Sequence, residues 1–309
     1  MDIVSLIMNI LQITAVGFII FTVIRRLHIR KSSIILGFFL YAVICTMLSD
    51  LYWIALEVLK PGVRLPYGVN EIAEMGESLL FAALLSTVFG LRRVRAGMEV
   101  LLTVLFSLGS MALWIAWNGE WIKDIVGAIP YCYLMCVTVM SLKKTAALTK
   151  REAVLAGSTA FLIIAVFGIQ LFLLETLAGM ILDTAGSLLA FSGVIWISLK
   201  SIRSLSSLQQ KYRSNDGFAH DGYVSCIEGK NAGKKEDAAG REVNTDSRKG
   251  SNSGREQREK AMALTFAALL WIQNTMYMSA EPLYFVADLL YTLALIAAMY
   301  SCIAVADEV

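Results

Sequence analysis

Charge is scarce in this chain. Only 17% of its 309 residues are charged, 57% are hydrophobic, and the mean hydropathy is +0.64. A soluble domain of this size has about a quarter of its residues charged, so the composition excludes a soluble globular protein and indicates a polytopic membrane protein. Histidine is nearly absent. His28 and His220 are the only two, in a predicted cytoplasmic turn and a polar linker, which removes histidine metal sites and Ser–His hydrolysis within the membrane.

Other absences narrow the chemistry further. None of the five cysteines falls in a predicted external loop, so no disulfide framework is implied. Cys132 and Cys136 share a helix face, but no His or acid recurs beside them at ligand spacing, and they read as small packed residues. A P-loop, GxGxxG and HExxH are missing. So is the Gly-x-Gly-Asp of intramembrane aspartyl proteases around Asp50, Asp183 or Asp288, and no lysine stands mid-membrane in the seventh apolar run to carry a Schiff base. With no nucleophile and base in view, enzymatic activity is not expected, nor is any cofactor. The basic residues form no face interleaved with aromatics, which argues against nucleic acid.

What the chain has is long apolar runs. Nine can span about 30 Å of hydrocarbon at about 20 residues each: 3–24, 33–57, 71–91, 98–117, 121–142, 153–174, 178–199, 262–279 and 283–304. The expected fold is therefore an all-α transmembrane bundle of nine helices. The first run, MDIVSLIMNI onward, lacks a basic leader region and an A-x-A site, so it is expected to be retained as a helix.

The basic residues set the orientation. Those after the first, third, fifth and seventh runs make up 24 of the 27 Lys and Arg, leaving Lys60, Arg64 and Lys123 for the other side. The positive-inside rule then puts the N-terminus outside, the C-terminus in the cytoplasm, and the bundle in a plasma membrane. Trp114, Trp117 and Trp121 crowd the turn between the fourth and fifth runs, where an outer aromatic belt belongs.

One polar segment divides the chain. Residues 204–260 hold 11 basic and 9 acidic residues and few apolar ones, too little to fold alone, and read as a disordered cytoplasmic linker. Its start keeps helical spacing at Leu199, Ile202, Leu205 and Leu208, consistent with an extension of the seventh helix along the membrane surface. Three parts are expected: a seven-helix bundle over 1–203, the linker, and a two-helix hairpin with a short tail over 261–309. The linker is a plain tether or a docking segment for a protein partner; the other partner is the lipid bilayer.

Polar side chains are distributed unevenly by depth. The segment 49–80, SDLYWIALEVLKPGVRLPYGVNEIAEMGESLL, carries five carboxylates between two apolar runs. The outer halves also hold Ser5, Asn9, Gln12, Asp124, Gln170 and Asp183, followed by Gln273, Asn274 and Asp288, while the cytoplasmic halves hold little beyond Ser and Thr. Buried ionisable groups are tolerated where they face protein or water, so the asymmetry predicts a polar cavity opening outward. The helix dipole accounts for Glu71, Glu74 and Asp124 in first turns. It does not account for Glu77 or Asp288, about 9 Å further in. Asp50 sits near a helix C-terminus, where the dipole repels a carboxylate. Asp50 and Glu77 should lie at similar depth, able to share a proton, hold a cation or pair with Lys60 or Arg64. Gly179, Gly186 and Gly193 form a small-residue stripe for close helix packing, with Asp183 beside it.

The candidate ligand- or ion-binding residues are Asp50, Glu74, Glu77, Asp183, Gln273, Asn274 and Asp288. Two functions suit them: a receptor-like or sensory module binding a small ligand or cation and signalling through a partner, or an H⁺- or Na⁺-coupled secondary transporter. Transport asks for polar lining toward the cytoplasm and broken helices, and Pro130 alone interrupts an apolar run.

Overall fold

The computed structural model describes residues 3–30, 33–59, 68–91, 97–118, 121–173, 176–225, 243–278 and 283–307. These residues form nine helices and no strand: α1 (Ile3–Arg30), α2 (Ile34–Leu59), α3 (Val69–Val88), α4 (Met98–Asn118), α5 (Trp121–Lys144), α6 (Lys150–Phe172), α7 (Leu177–Ser225), α8 (Val243–Met278) and α9 (Leu283–Ala306). The all-α bundle expected from the apolar runs is what the chain adopts.

Seven of these helices, all but α3 and α8, are long and apolar enough to cross a membrane. Nine such spans were expected, and the two exceptions have a physical reason. The first nine residues of α3 include Glu71, Glu74 and Glu77, and α8 begins in the polar stretch before Met262. α8 lies inside the bundle, while α3 turns its polar residues inward and leaves Ile72 and Leu79 exposed. Residues 261–270 of α8 are buried with a single exception, and α3 buries Asn70, Glu71, Glu77 and Ser78 together with its apolar face. A helix wrapped by other helices can carry polar groups that lipid would reject. The lipid-facing role falls to helices such as α4 and α6, whose apolar windows are only 11% buried, against 56% for α9.

The packing order is not the chain order. α2 lies against α1, α3 and α9; α5 against α3, α4 and α8; α7 against α6 and α8; and α9 against α8 and α1. The half of the bundle nearer the basic turns is filled by apolar side chains. Phe39, Phe81 and Phe266 form a chain of rings, with centroids 6.1 Å and 5.2 Å apart, and Leu84, Leu85, Met262, Leu295 and Met299 close around it. Lysines tie the basic end together. Lys144 caps the carbonyl of Phe89 at the end of α3, Lys143 meets Glu99 at 2.6 Å, and Lys200 pairs with Glu152, whose side chain also caps α6 through Thr149.

Helix extends into both ends of the segment read as a linker. α7 runs to Ser225 and α8 starts at Val243; residues 226–242 lie outside the described residues. Past the apolar core α7 and α8 stay joined through Ser207 and Gln257 at 2.6 Å. Deeper in, Ser201, Thr265 and Ser301 link α7, α8 and α9 at 2.8 and 3.3 Å. The C-terminal pair is therefore packed into the same bundle as the first seven helices.

The glycine stripe of α7 serves two neighbours. At Gly186 an added Cβ would stand 3.0 Å from Val166 of α6. At Gly193 it would stand 2.4 Å from the indole of Trp271 in α8, which donates from Nε1 to the Ala190 carbonyl at 3.2 Å.

Candidate functional site

At the end of the bundle away from the basic turns the apolar filling stops and a cavity of about 890 Å³ opens. Seven helices line it: α1 to α5, α8 and α9. Small residues leave the room. Gly127 and Ala128 of α5 and Ser107 and Ser110 of α4 stand in the wall, and nothing lies within 4 Å of where a Cβ on Gly127 would point.

Among the described residues, six carboxylates line this space, namely Asp50, Glu71, Glu74, Glu77, Asp124 and Asp288, together with one cation, Lys123. Glu71 has a structural explanation. Its Oε2 accepts from the backbone N of Gly68 at 2.6 Å, which caps α3, and its Oε1 meets Lys123 Nζ of α5 at 2.9 Å. The deeper acids are held by neutral donors. Tyr291 Oη donates to Glu77 Oε1 at 2.5 Å, joining α9 to α3. The Gln12 amide, oriented with its nitrogen toward α9, donates to both oxygens of Asp288 at 3.1 and 3.3 Å. Ser49 Oγ donates to Glu74 Oε1 at 3.2 Å. Neutral donors of this kind fix a carboxylate in place.

Asp50 differs from these. Its Oδ2 is buried and has no hydrogen-bond partner. At the base of the cavity Asn274 Nδ2 donates to Tyr131 Oη at 2.7 Å and to the Leu270 carbonyl at 2.8 Å, closing α8 onto α5 next to the helix-interior Pro130. Trp114 and Trp117, stacked 6.0 Å apart, stand toward the rim. Among the described residues no three His, Cys, Asp or Glu side chains converge to hold a metal ion.

No protein-family model, no curated protein and no solved structure matches this chain. The reading of the site therefore rests on its geometry.

Of the candidate residues, Asp50, Glu74, Glu77, Gln273, Asn274 and Asp288 line the one cavity. Asp183 does not. It is half-buried on α7, and neither α6 nor α7 contributes to the cavity wall, so Gln170 is apart as well. Asn9, Gln12 and Asp124, polar residues of the outer halves, are in the wall. Lys60 and Arg64, the expected counter-charges, lie outside the described residues; the lysine found beside a site acid is Lys123. The tyrosines were not foreseen. Tyr291 follows Asp288 by three residues on one helix face, a spacing that signals a shared surface, whereas nothing local in the sequence brings Tyr131 to Asn274.

Proposed function

We propose that this chain is a receptor-like module of a plasma membrane, whose acidic cavity opens to the outside, binds a small cationic ligand, and passes the binding event to a protein partner. The observation that carries this reading is the gathering of six carboxylates from four helices around one cavity at the end away from the basic turns, the end that the positive-inside rule reads as non-cytoplasmic. Concave sites of about 300–1,000 Å³ with a few convergent polar groups are the usual form of a small-molecule site. The packed phenylalanine layer between the cavity and the basic end favours binding over passage, because transport needs a polar route on both sides. Ligand contact with Asp288 reaches α9 directly, and contact with Glu77 reaches it through Tyr291. That helix is tied at its other end to α8 through Ser301 and through the Arg258 bond to the Ala304 carbonyl, 2.8 Å, which supplies a path to a cytoplasmic partner at the α7–α8 extension.

Purified chain in nanodiscs and in proteoliposomes separates this from the transporter reading. A receptor gives saturable, ligand-dependent thermal stabilisation that Glu77→Gln or Asp288→Asn abolishes, with no accompanying flux. Proton- or sodium-driven uptake lost in Asp50→Asn would replace it with a secondary transporter.

A further inference from the structure

We propose that the basic end of the α6–α7 pair binds an anionic phospholipid, with Arg151 and Arg203 on its phosphate, Lys150 beside them, and its acyl chains along the exposed apolar faces of the two helices. This does not depend on the reading of the acidic cavity. The two helices run antiparallel, since Gly186 of α7 stands against Val166 of α6 and, further along, Lys200 of α7 pairs with Glu152 of α6. That pairing brings the α7 turn holding Lys200 and Arg203 beside the first turn of α6, which holds Lys150 and Arg151.

These cations are available. Among the described residues the ion pairs take Lys123, Lys143, Lys200 and Arg255, whereas Lys150, Arg151 and Arg203 are exposed and make none. Glu152 is the only acid in residues 150–160 of α6 and 190–207 of α7, and Lys200 neutralises it, so three positive charges remain on this edge. The capping box of Thr149 and Glu152 already serves the first amides of α6, so the site is made of side chains and not of the helix end. The inner end of α5 is different: Glu99 engages Lys143 and the Phe89 carbonyl engages Lys144.

The surroundings of the cations select the ligand. Immediately deeper, Val154 and Leu155 of α6 and Ile195 and Leu199 of α7 are 48–69% exposed, on helices long and apolar enough to cross a membrane. Trp196 lies one turn deeper than Lys200, whose Nζ stands 5.9 Å from its ring centroid, and an aromatic beside a cation is the pattern of a headgroup boundary. Long basic side chains there reach out to the headgroups, and Arg meets phosphate oxygens through two parallel N–H donors. Each basic residue near an anionic lipid surface strengthens attachment by roughly fivefold. An acidic peptide would use the charges alone; a two-chain lipid uses the charges and the apolar faces together.

The test is native mass spectrometry of the full chain with dioleoylphosphatidylglycerol or dioleoylphosphatidylcholine added at graded concentrations, so that only headgroup charge differs. Expected is retention of phosphatidylglycerol about tenfold or more tighter than phosphatidylcholine. Arg151→Gln with Arg203→Gln should abolish that preference, while Arg25→Gln with Arg26→Gln, which removes two exposed arginines from the same end of α1, should leave it unchanged. Arg203→Gln alone should lower it about fivefold, and keeps the test decisive if the double variant does not fold. Equal retention of the two lipids overturns the proposal. Equal loss in the two double variants overturns it in favour of a diffuse attraction to the whole basic end. Release of bound phosphatidylglycerol by an equal concentration of inorganic phosphate makes the phosphate group alone the ligand and overturns the lipid.

Discussion

Tyr291 is the residue on which the buried half of the site depends most. Its hydroxyl is a 2.5 Å donor to Glu77, which is itself 6% exposed. Removing one partner of a buried hydrogen bond costs about 1–3 kcal/mol. Tyr291→Phe should therefore lower the midpoint of thermal unfolding by an amount corresponding to that loss; an unchanged midpoint would mean that water or another donor already serves Glu77. Asp50→Asn should act in the opposite direction. It replaces a carboxyl group whose Oδ2 is buried and unpartnered, so the apo protein should gain thermal stability while losing ligand response, the usual trade at a functional group. At this scale the acids were legible in the sequence, because a carboxylate in an apolar run stands out against its neighbours. Their partners were not. Gln12, Ser49, Lys123 and Tyr291 each come from another helix than the acid they serve, and no local spacing reports which helices will be adjacent.

At the scale of the helix, the sharpest test lies in α7. Gly193 admits the Trp271 indole where a Cβ would stand 2.4 Å from the ring, and a rigid ring wedged between helices cannot yield as a flexible side chain would. Gly193→Ala should cost about 1–3 kcal/mol by overpacking and separate α7 from α8. Gly17→Ala makes the control, since nothing lies within 4 Å of that position. It should be neutral or stabilising by about 0.5–1 kcal/mol through helix propensity. Equal effects of the two would contradict the close α7–α8 contact. The glycine spacing announced a contact face without saying whose; the structure divides it between Val166 of α6 and Trp271 of α8. Helix types were legible from the length of the apolar runs. The inner placement of α8 and the inward polar face of α3 were legible only indirectly, through the polar residues that made them the least membrane-like of the nine. The helix in 204–225 and 243–260 escaped a reading based on charge and low hydrophobicity, although the Leu199, Ile202 and Leu205 spacing pointed that way at its start.

For the whole molecule, the account joins a dry half and a wet half. The apolar layer around Phe39, Phe81 and Phe266 lies toward the basic turns, and the acid-lined cavity lies away from them. This division follows from composition by depth, and so was visible along the chain before any helix was placed. Which acids would meet was not, because that depends on a packing order in which α5 sits between α3 and α8 and α9 sits against α1 and α2. Asp183 shows the limit. It has the depth of the site acids but rides on a helix outside the ring that encloses the cavity.

Substituted-cysteine accessibility in intact cells tests this arrangement most directly, on a chain whose native cysteines are replaced by serine. Single replacements Asn9→Cys, Ser78→Cys, Ser110→Cys and Asp288→Cys come from four different helices of the cavity wall. A membrane-impermeant maleimide added outside should label all four, and should leave Ser201→Cys at the basic end unlabelled. Labelling of the four only after the cytoplasmic face is opened, or of some without the others, would contradict a single outward cavity.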